Sequence, residues 1–281
     1  MLYLPLVKPP LGIVVGAALV AASAPALAQT RPLLTEPAVT APAGTLVFET
    51  GFDAIADEPS NVTGVERTSW DGPLLRLVYS PAGNVELDLE WVARVGEWGE
   101  EGRNGAQSSD FGDVTLRAKW RSLDGGARRP TLGARFGVAL PETSFNDKQF
   151  RPLGLGPNTM RMLVEGLLTQ PLGRTRLHVD LGLFLQDEVL RPHEQRDFLS
   201  FGVAVERPVR GRLAVLAEVA GQAGPGVPGT RPHSEARAGV RFGSGRLKWD
   251  AAVRRGIAGA DGTWGATAGL SWNVLAPTGR P

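Results

Sequence analysis

The chain has 281 residues, with 30 Lys and Arg against 29 Asp and Glu, 36 Gly, 22 Pro and no Cys. Charge this close to neutral excludes an electrostatic nucleic-acid binder, which needs a basic excess to displace counterions from phosphates. The lack of Cys excludes disulfides, thiolate metal sites, Cys nucleophiles and lipid attachment through Cys, while glycine at nearly twice its usual share points to a β protein.

The first element is an apolar stretch, residues 11 to 28, LGIVVGAALVAASAPALA, preceded by Lys8 and closed by Ala26-Leu27-Ala28. This small-x-small ending is that of a secretory leader, cleaved after Ala28 so that the mature chain begins at Gln29. A membrane-anchoring helix is the rival reading, because such a length just spans a bilayer. The Ala-rich half and Pro25 favour the leader. Residues 29–43 are then expected as an N-terminal segment in the periplasm. No later stretch is long and apolar enough to cross a membrane as a helix, so any crossing must use strands.

From Val85 to Val95 the odd positions are Val85, Leu87, Leu89, Trp91, Ala93 and Val95, with Glu86, Asp88, Glu90, Val92 and Arg94 between them. Val114, Leu116, Ala118 and Trp120 alternate in the same way with Asp113, Thr115, Arg117, Lys119 and Arg121. A helix would scatter both sets around its circumference, so these are strands with one apolar and one polar face. The pattern predicts twelve strands, at about 44–56, 72–80, 84–96, 111–122, 130–140, 158–170, 174–187, 197–206, 211–222, 234–243, 246–256 and 263–274. Residues 275–281 form a C-terminal tail.

Connections alternate in length. Short turns occur around Pro81-Ala82-Gly83, Asp124-Gly125-Gly126, Pro171-Leu172-Gly173, Pro208-Val209-Arg210 and Ser244-Gly245, and most other connections are longer and more polar. Such alternation predicts an all-β, antiparallel up-and-down transmembrane barrel in the outer membrane of a Gram-negative bacterium, with short turns in the periplasm. Outer-membrane lipid, lipopolysaccharide and a small solute are the partners this implies, and no cofactor is implied. Aromatics on the apolar parity cluster at strand ends: Phe48, Tyr79, Trp120, Trp249 and Trp272 toward the short turns, Phe52, Trp91 and Trp264 toward the other rim. A soluble two-sheet sandwich also alternates, but Greek-key crossovers do not produce this regular change of connection length.

The run from Ser109 to Trp120, Ser-Asp-Phe-Gly-Asp-Val-Thr-Leu-Arg-Ala-Lys-Trp, resembles the Gly-x-Gly-Asp-x-x-Leu-x-x-Lys-aromatic stretch of the meta-pathway phenol-degradation transporter family of outer-membrane proteins. Phe111 stands where that stretch has its first Gly. Val138-Ala139-Leu140-Pro141-Glu142-Thr143 is similar to a strand of that family ending in Leu-Pro-Thr-Gly, with Glu142 as a departure and no Gly. The resemblance implies an outer-membrane channel that passes small hydrophobic or aromatic compounds.

Chemical motifs are sparse. Gly224-Pro225-Gly226-Val227-Pro228-Gly229 matches a dinucleotide fingerprint in letters only, because its prolines and lack of a following helix leave no phosphate site. Asn61-Val62-Thr63 is a nominal glycosylation acceptor of little meaning in a bacterial envelope. His178, His193 and His233 have no metal-ligand spacing. Acids such as Asp57, Glu58, Glu97, Glu100, Glu101 and Asp110 read as solvated loop charge. Outer-membrane lipid hydrolases place Ser and His together on the wall. If opposed positions of strands seven and eight sum to about 384, His178 faces Glu206 and Ser200 faces Phe184, so a non-enzyme with no catalytic residues is expected.

Function is therefore expected on the polar parity, with Glu49, Glu86, Asp88, Glu90, Arg94, Asp113, Arg117, Lys119, Arg121, Arg135, Arg161, Glu165, His178, Asp180, Arg237, Arg241, Lys248 and Asp250 lining a lumen. Both signs are abundant, which suits a hydrated passage for small solutes. It also suits a closed structural barrel whose charges pair with one another. Pairing of strands three and four with opposed positions summing to 207 would set Glu86 against Arg121, Asp88 against Lys119, Glu90 against Arg117 and Arg94 against Asp113.

Overall fold

The computed structural model describes residues 31–59, 66–98, 108–141, 159–187, 194–224, 226, 232–259 and 262–275. The expected leader, Asn61 to Thr63, Glu100, Glu101, His193 and all but the first residue of the loop from Pro141 to Pro157 lie outside them. The strands are β1 (Leu46–Pro59), β2 (Glu66–Ala82), β3 (Val85–Val92), β4 (Val95–Trp98), β5 (Ser108–Asp110), β6 (Val114–Leu123), β7 (Thr131–Leu140), β8 (Arg161–Leu172), β9 (Thr175–Asp187), β10 (Gln195–Arg210), β11 (Leu213–Ala223), β12 (His233–Ser244), β13 (Leu247–Gly259) and β14 (Trp264–Leu275).

β3 and β4 continue one another along β2, and β5 and β6 do so along β4 and β3, which leaves twelve staves. Every stave is antiparallel to the next, and β1 pairs with both β2 and β14. The barrel is thus closed and has no free sheet edge. Two-residue turns join β8 to β9 and β12 to β13. Gly173 (φ 66°) and Gly245 (φ 62°) take the left-handed conformation there that a Cβ would resist.

Burial is inverted relative to a soluble protein. Leu77, Leu87, Leu89, Leu116, Leu181 and Val253 are exposed on the outer wall, as are Tyr79, Trp120, Trp249 and Trp272 near the short turns and Phe52 and Trp264 near the other rim. Glu49, Glu86, Lys119, Arg135, Glu165 and Asp180 are buried inside. Apolar side chains facing out and paired charges facing in are what a lipid surround selects. The short-turn rim also carries exposed Arg128, Arg129, Arg174, Arg207, Arg210, Arg212 and Arg246, with Asp124 among them.

Besides bulges such as that between Ser234 and Glu235, the alternation of faces breaks at one height on three adjacent staves. On β2, Arg76 points inward to Asp88 at 2.7 Å, yet Asp71, five residues earlier, also lines the interior. The break lies at Gly72-Pro73, where pairing with β1 slips by one residue between Gly51 and Asp53. Val92 and Val95 both face inward across the gap between β3 and β4. The same break turns Arg94 outward, against the expectation of a lumen residue. Its guanidinium lies 4.4 Å over the exposed Phe111 ring, which stacks on Trp91.

Candidate functional site

Residues 29–43 were expected as an N-terminal segment in the periplasm, and the structure places the described part, residues 31–43, inside the barrel. The segment RPLLTEPAVTAPA holds Pro32, Pro37 and Pro42 and joins no sheet, so its backbone polar groups need partners other than a ladder. Wall side chains supply them. Glu218 accepts from the amides of Leu34 and Thr35 at 2.8 and 2.9 Å, and Asp180 from that of Glu36 at 2.9 Å. Thr169 Oγ1 accepts from Ala38 N at 2.9 Å, and Glu86 from Ala41 N at 2.6 Å. In the other sense, Arg237 donates to Pro32 O at 3.0 Å, Lys119 to Pro37 O at 3.3 Å and Arg241 to Arg31 O at 3.1 Å. Small side chains permit the fit: Thr35 and Ala38 have no exposed surface, and a Cβ at Gly202 would come within 2.6 Å of Thr35 Oγ1.

Glu36 is the centre of this plug. Its carboxylate pairs with Lys119 at 2.8 Å, Arg135 at 2.9 Å and Arg76 at 3.5 Å. Burial alone would favour the neutral acid, but the charges of Lys119, Arg76 and Arg135 hold its pKa well below 4.5. Each cation keeps a partner on the wall as well. Arg76 reaches Asp88 and Glu49, Lys119 reaches Glu86, and Arg135 reaches Glu165 at 2.5 Å.

The other expected lumen residues extend this network. Arg117 bridges Asp88 at 3.2 Å and Glu90 at 2.9 Å, and Arg161 pairs with Asp113. Arg241 meets Glu206 at 3.1 Å, Asp250 meets Arg31 at 3.5 Å, and Lys248 shares the face of Asp250 two residues away. Arg121 sits lower, binding Gly83 O and Asp124 at 2.7 Å each. The expected register of strands three and four is therefore corrected: Glu86 opposes Lys119, Asp88 opposes Arg117 and Glu90 opposes Thr115. A shift of two preserves which face is inside, so alternating charge alone did not separate the two registers. Recruitment of Arg121 by the rim and of Lys119 by Glu36 accompanies the one observed.

β9 and β10 show the same two-residue correction. His178 opposes Ala204 and Ser200 opposes Gly182. Ser200 Oγ donates to Glu165 at 3.0 Å, and His178 Nδ1 lies 3.0 Å from Thr169 Oγ1, so this Ser and His serve separate partners. Sequence reasoning missed Arg31, Glu36, Asp53, Asp71, Arg76 and Thr169 as interior groups. Glu36 had a visible signal, as the one charged residue between Pro32 and Gly44.

Above the plug, toward the long loops, the lumen opens into a cavity of about 460 Å³ floored by Pro32 to Leu34 and Glu36. A second cavity of about 340 Å³ adjoins it, lined by Glu90, Val92, Arg117, Arg161, Leu163 and Phe184 among others. Volumes of this order suit small-molecule sites.

No family model and no curated protein matches the chain. Among solved structures it is similar to the COG4313 outer membrane channel from Pseudomonas putida F1, with a TM-score of 0.63 and 17% identity over 83% of this chain and 97% of that one. The beta domain of the Bordetella autotransporter BrkA follows, with a TM-score of 0.50 and 12% identity over 82% of this chain and 99% of that one. At such identities the fold is what is shared, and it is that of a closed antiparallel β-barrel of the kind these outer-membrane proteins have.

Proposed function

We propose that the protein is exported by a cleaved leader to the outer membrane and gives small solutes a narrow passage there, with residues 31–43 as its constriction. The observation that carries this reading is the cavity of about 460 Å³ between that segment and the long-loop rim, a solute-sized space inside a closed barrel. Cleavage after Ala28 fits it, because the segment at the new N-terminus is the one that enters the lumen. The resemblance to phenol-degradation transporters makes aromatic or hydrophobic solutes the substrates of choice, and Leu74, Leu163 and Phe184 supply apolar wall for them. A structural barrel without flux is the second reading, favoured by the paired charges that tie the plug to the wall.

The mature protein should begin at Gln29 and fractionate with the outer membrane; recovery in the soluble periplasm would end the reading. Planar bilayers and liposome swelling with neutral aromatic solutes test the function. Small, brief conductance steps and slow flux are expected, with both rising when residues 31–43 are deleted. Absence of current and flux from both proteins would support the structural barrel.

A further inference from the structure

Most charges lining the cavities pair with one another, and among the described residues one carboxylate there has no hydrogen-bond or ion-pair partner. In the smaller cavity Asp71, Glu90 and Asp113 face two guanidiniums, Arg117 and Arg161. Glu90 takes Arg117 at 2.9 Å and Asp113 takes Arg161. The Asp71 carboxylate has neither hydrogen bond nor ion pair among the described residues. Its register partner Asp53 binds Arg254 at 2.6 Å and Arg237 at 3.4 Å, and Arg254 also reaches Glu235. The cations nearest this wall are therefore engaged.

Backbone geometry singles out the same residue independently. Counted from Arg76 by strict alternation, Asp71 would face lipid; the break at Gly72-Pro73 turns it inward. A carboxylate turned into the lumen, solvent-accessible there and unpaired by the chain's own side chains, is open to a partner that is not part of the chain. Beside it stand apolar groups, Val92, Val95, Leu163 and Phe184.

We propose that Asp71 anchors a subsite for small organic cations, with their ammonium or guanidinium on its carboxylate and an aromatic or branched body against Leu163 and Phe184. This rests on the reading that solutes enter the lumen and narrows their class. A bare divalent cation fits less well, because calcium seeks about six to eight oxygens. No group of three or more His, Asp or Glu placed to hold a metal occurs among the described residues.

Binding of benzylamine, benzyl alcohol and benzoate to the purified full-length protein in detergent tests the subsite by calorimetry, without requiring flux. Benzylamine should bind at least about tenfold more tightly than the other two, and Asp71→Asn should remove that preference, as loss of a charged hydrogen bond predicts. Because the Asp71 carboxylate has no partner among the described residues, the variant should keep the wild-type heat shift on gels. Asp71→Lys should reverse the preference toward benzoate. Equal binding of the three ligands by the wild type, or a benzylamine preference that survives Asp71→Asn, would overturn the proposal. Asp71-dependent binding in a protein that passes no solute would keep the subsite and remove the channel; flux without the preference would do the opposite.

Discussion

Replacing Glu36 with Ala is expected to convert the brief, small conductance of the reconstituted protein into long openings. The substitution removes the carboxylate on which Lys119, Arg135 and Arg76 converge. Loss of hydrogen bonds to a charged group costs about 1.5–3 kcal/mol, which raises the undocked population of the plug by roughly one to two orders of magnitude. The wall tolerates this release, because all three cations retain carboxylates of their own. Barrel stability should thus fall less than plug docking does, and resistance to unfolding in detergent should stay near the wild-type value while single-channel open time rises. An unchanged open time would mean that Glu36 does not hold the plug.

The pH dependence has a defined sign. The folded Glu36 pKa lies below 4.5, so its contribution is complete above that value and is lost as pH falls further toward the folded pKa. Openings of the wild type should multiply on the acid side of pH 4.5, and Glu36→Ala should be open on both sides of it.

Gly202→Val should displace the plug from the opposite wall. Its Cβ would meet the Asp180 carboxylate and come within 2.6 Å of Thr35 Oγ1, and both groups belong to the hydrogen bonds that seat the segment. Overpacking of this kind costs about 1–3 kcal/mol. Gly166→Val is the control: its Cβ would meet only Leu181 O at 3.8 Å. The first variant should lower the thermal midpoint and lengthen openings, and the second should do neither. Equal behaviour of the two would remove Gly202 from the account of the plug.

Strand number and the two faces were legible because lipid outside and charge inside impose a period of two on every stave. Trp120 and Lys119 illustrate it, adjacent in sequence and on opposite sides of the wall. Register was not legible, since Glu86, Asp88 and Glu90 against Arg117, Lys119 and Arg121 give favourable signs at either of two even offsets. The inward turn of Asp71 was hidden by Gly72-Pro73, which removes one step of alternation without changing composition. The plug was hardest to read. Segment 31–43 has no periodicity, and its amides are satisfied by side chains from β3, β8, β9 and β11, each distant in sequence. Its mark was an interior with more charge than cross-strand pairing needs.

The arginines that ring the short turns give the two mouths of the barrel different ionic atmospheres. Exposed guanidiniums stand on four of the short turns, whereas among the described residues the other rim mixes Asp57, Glu58, Glu66, Glu97, Asp187 and Glu194 with Arg94, Arg196 and Arg255. At physiological ionic strength such fields reach about 8 Å into solution. If the barrel conducts, anions should be enriched at the arginine-ringed opening, so its current should depend on the direction of the applied voltage in dilute salt and become symmetric when the salt is concentrated.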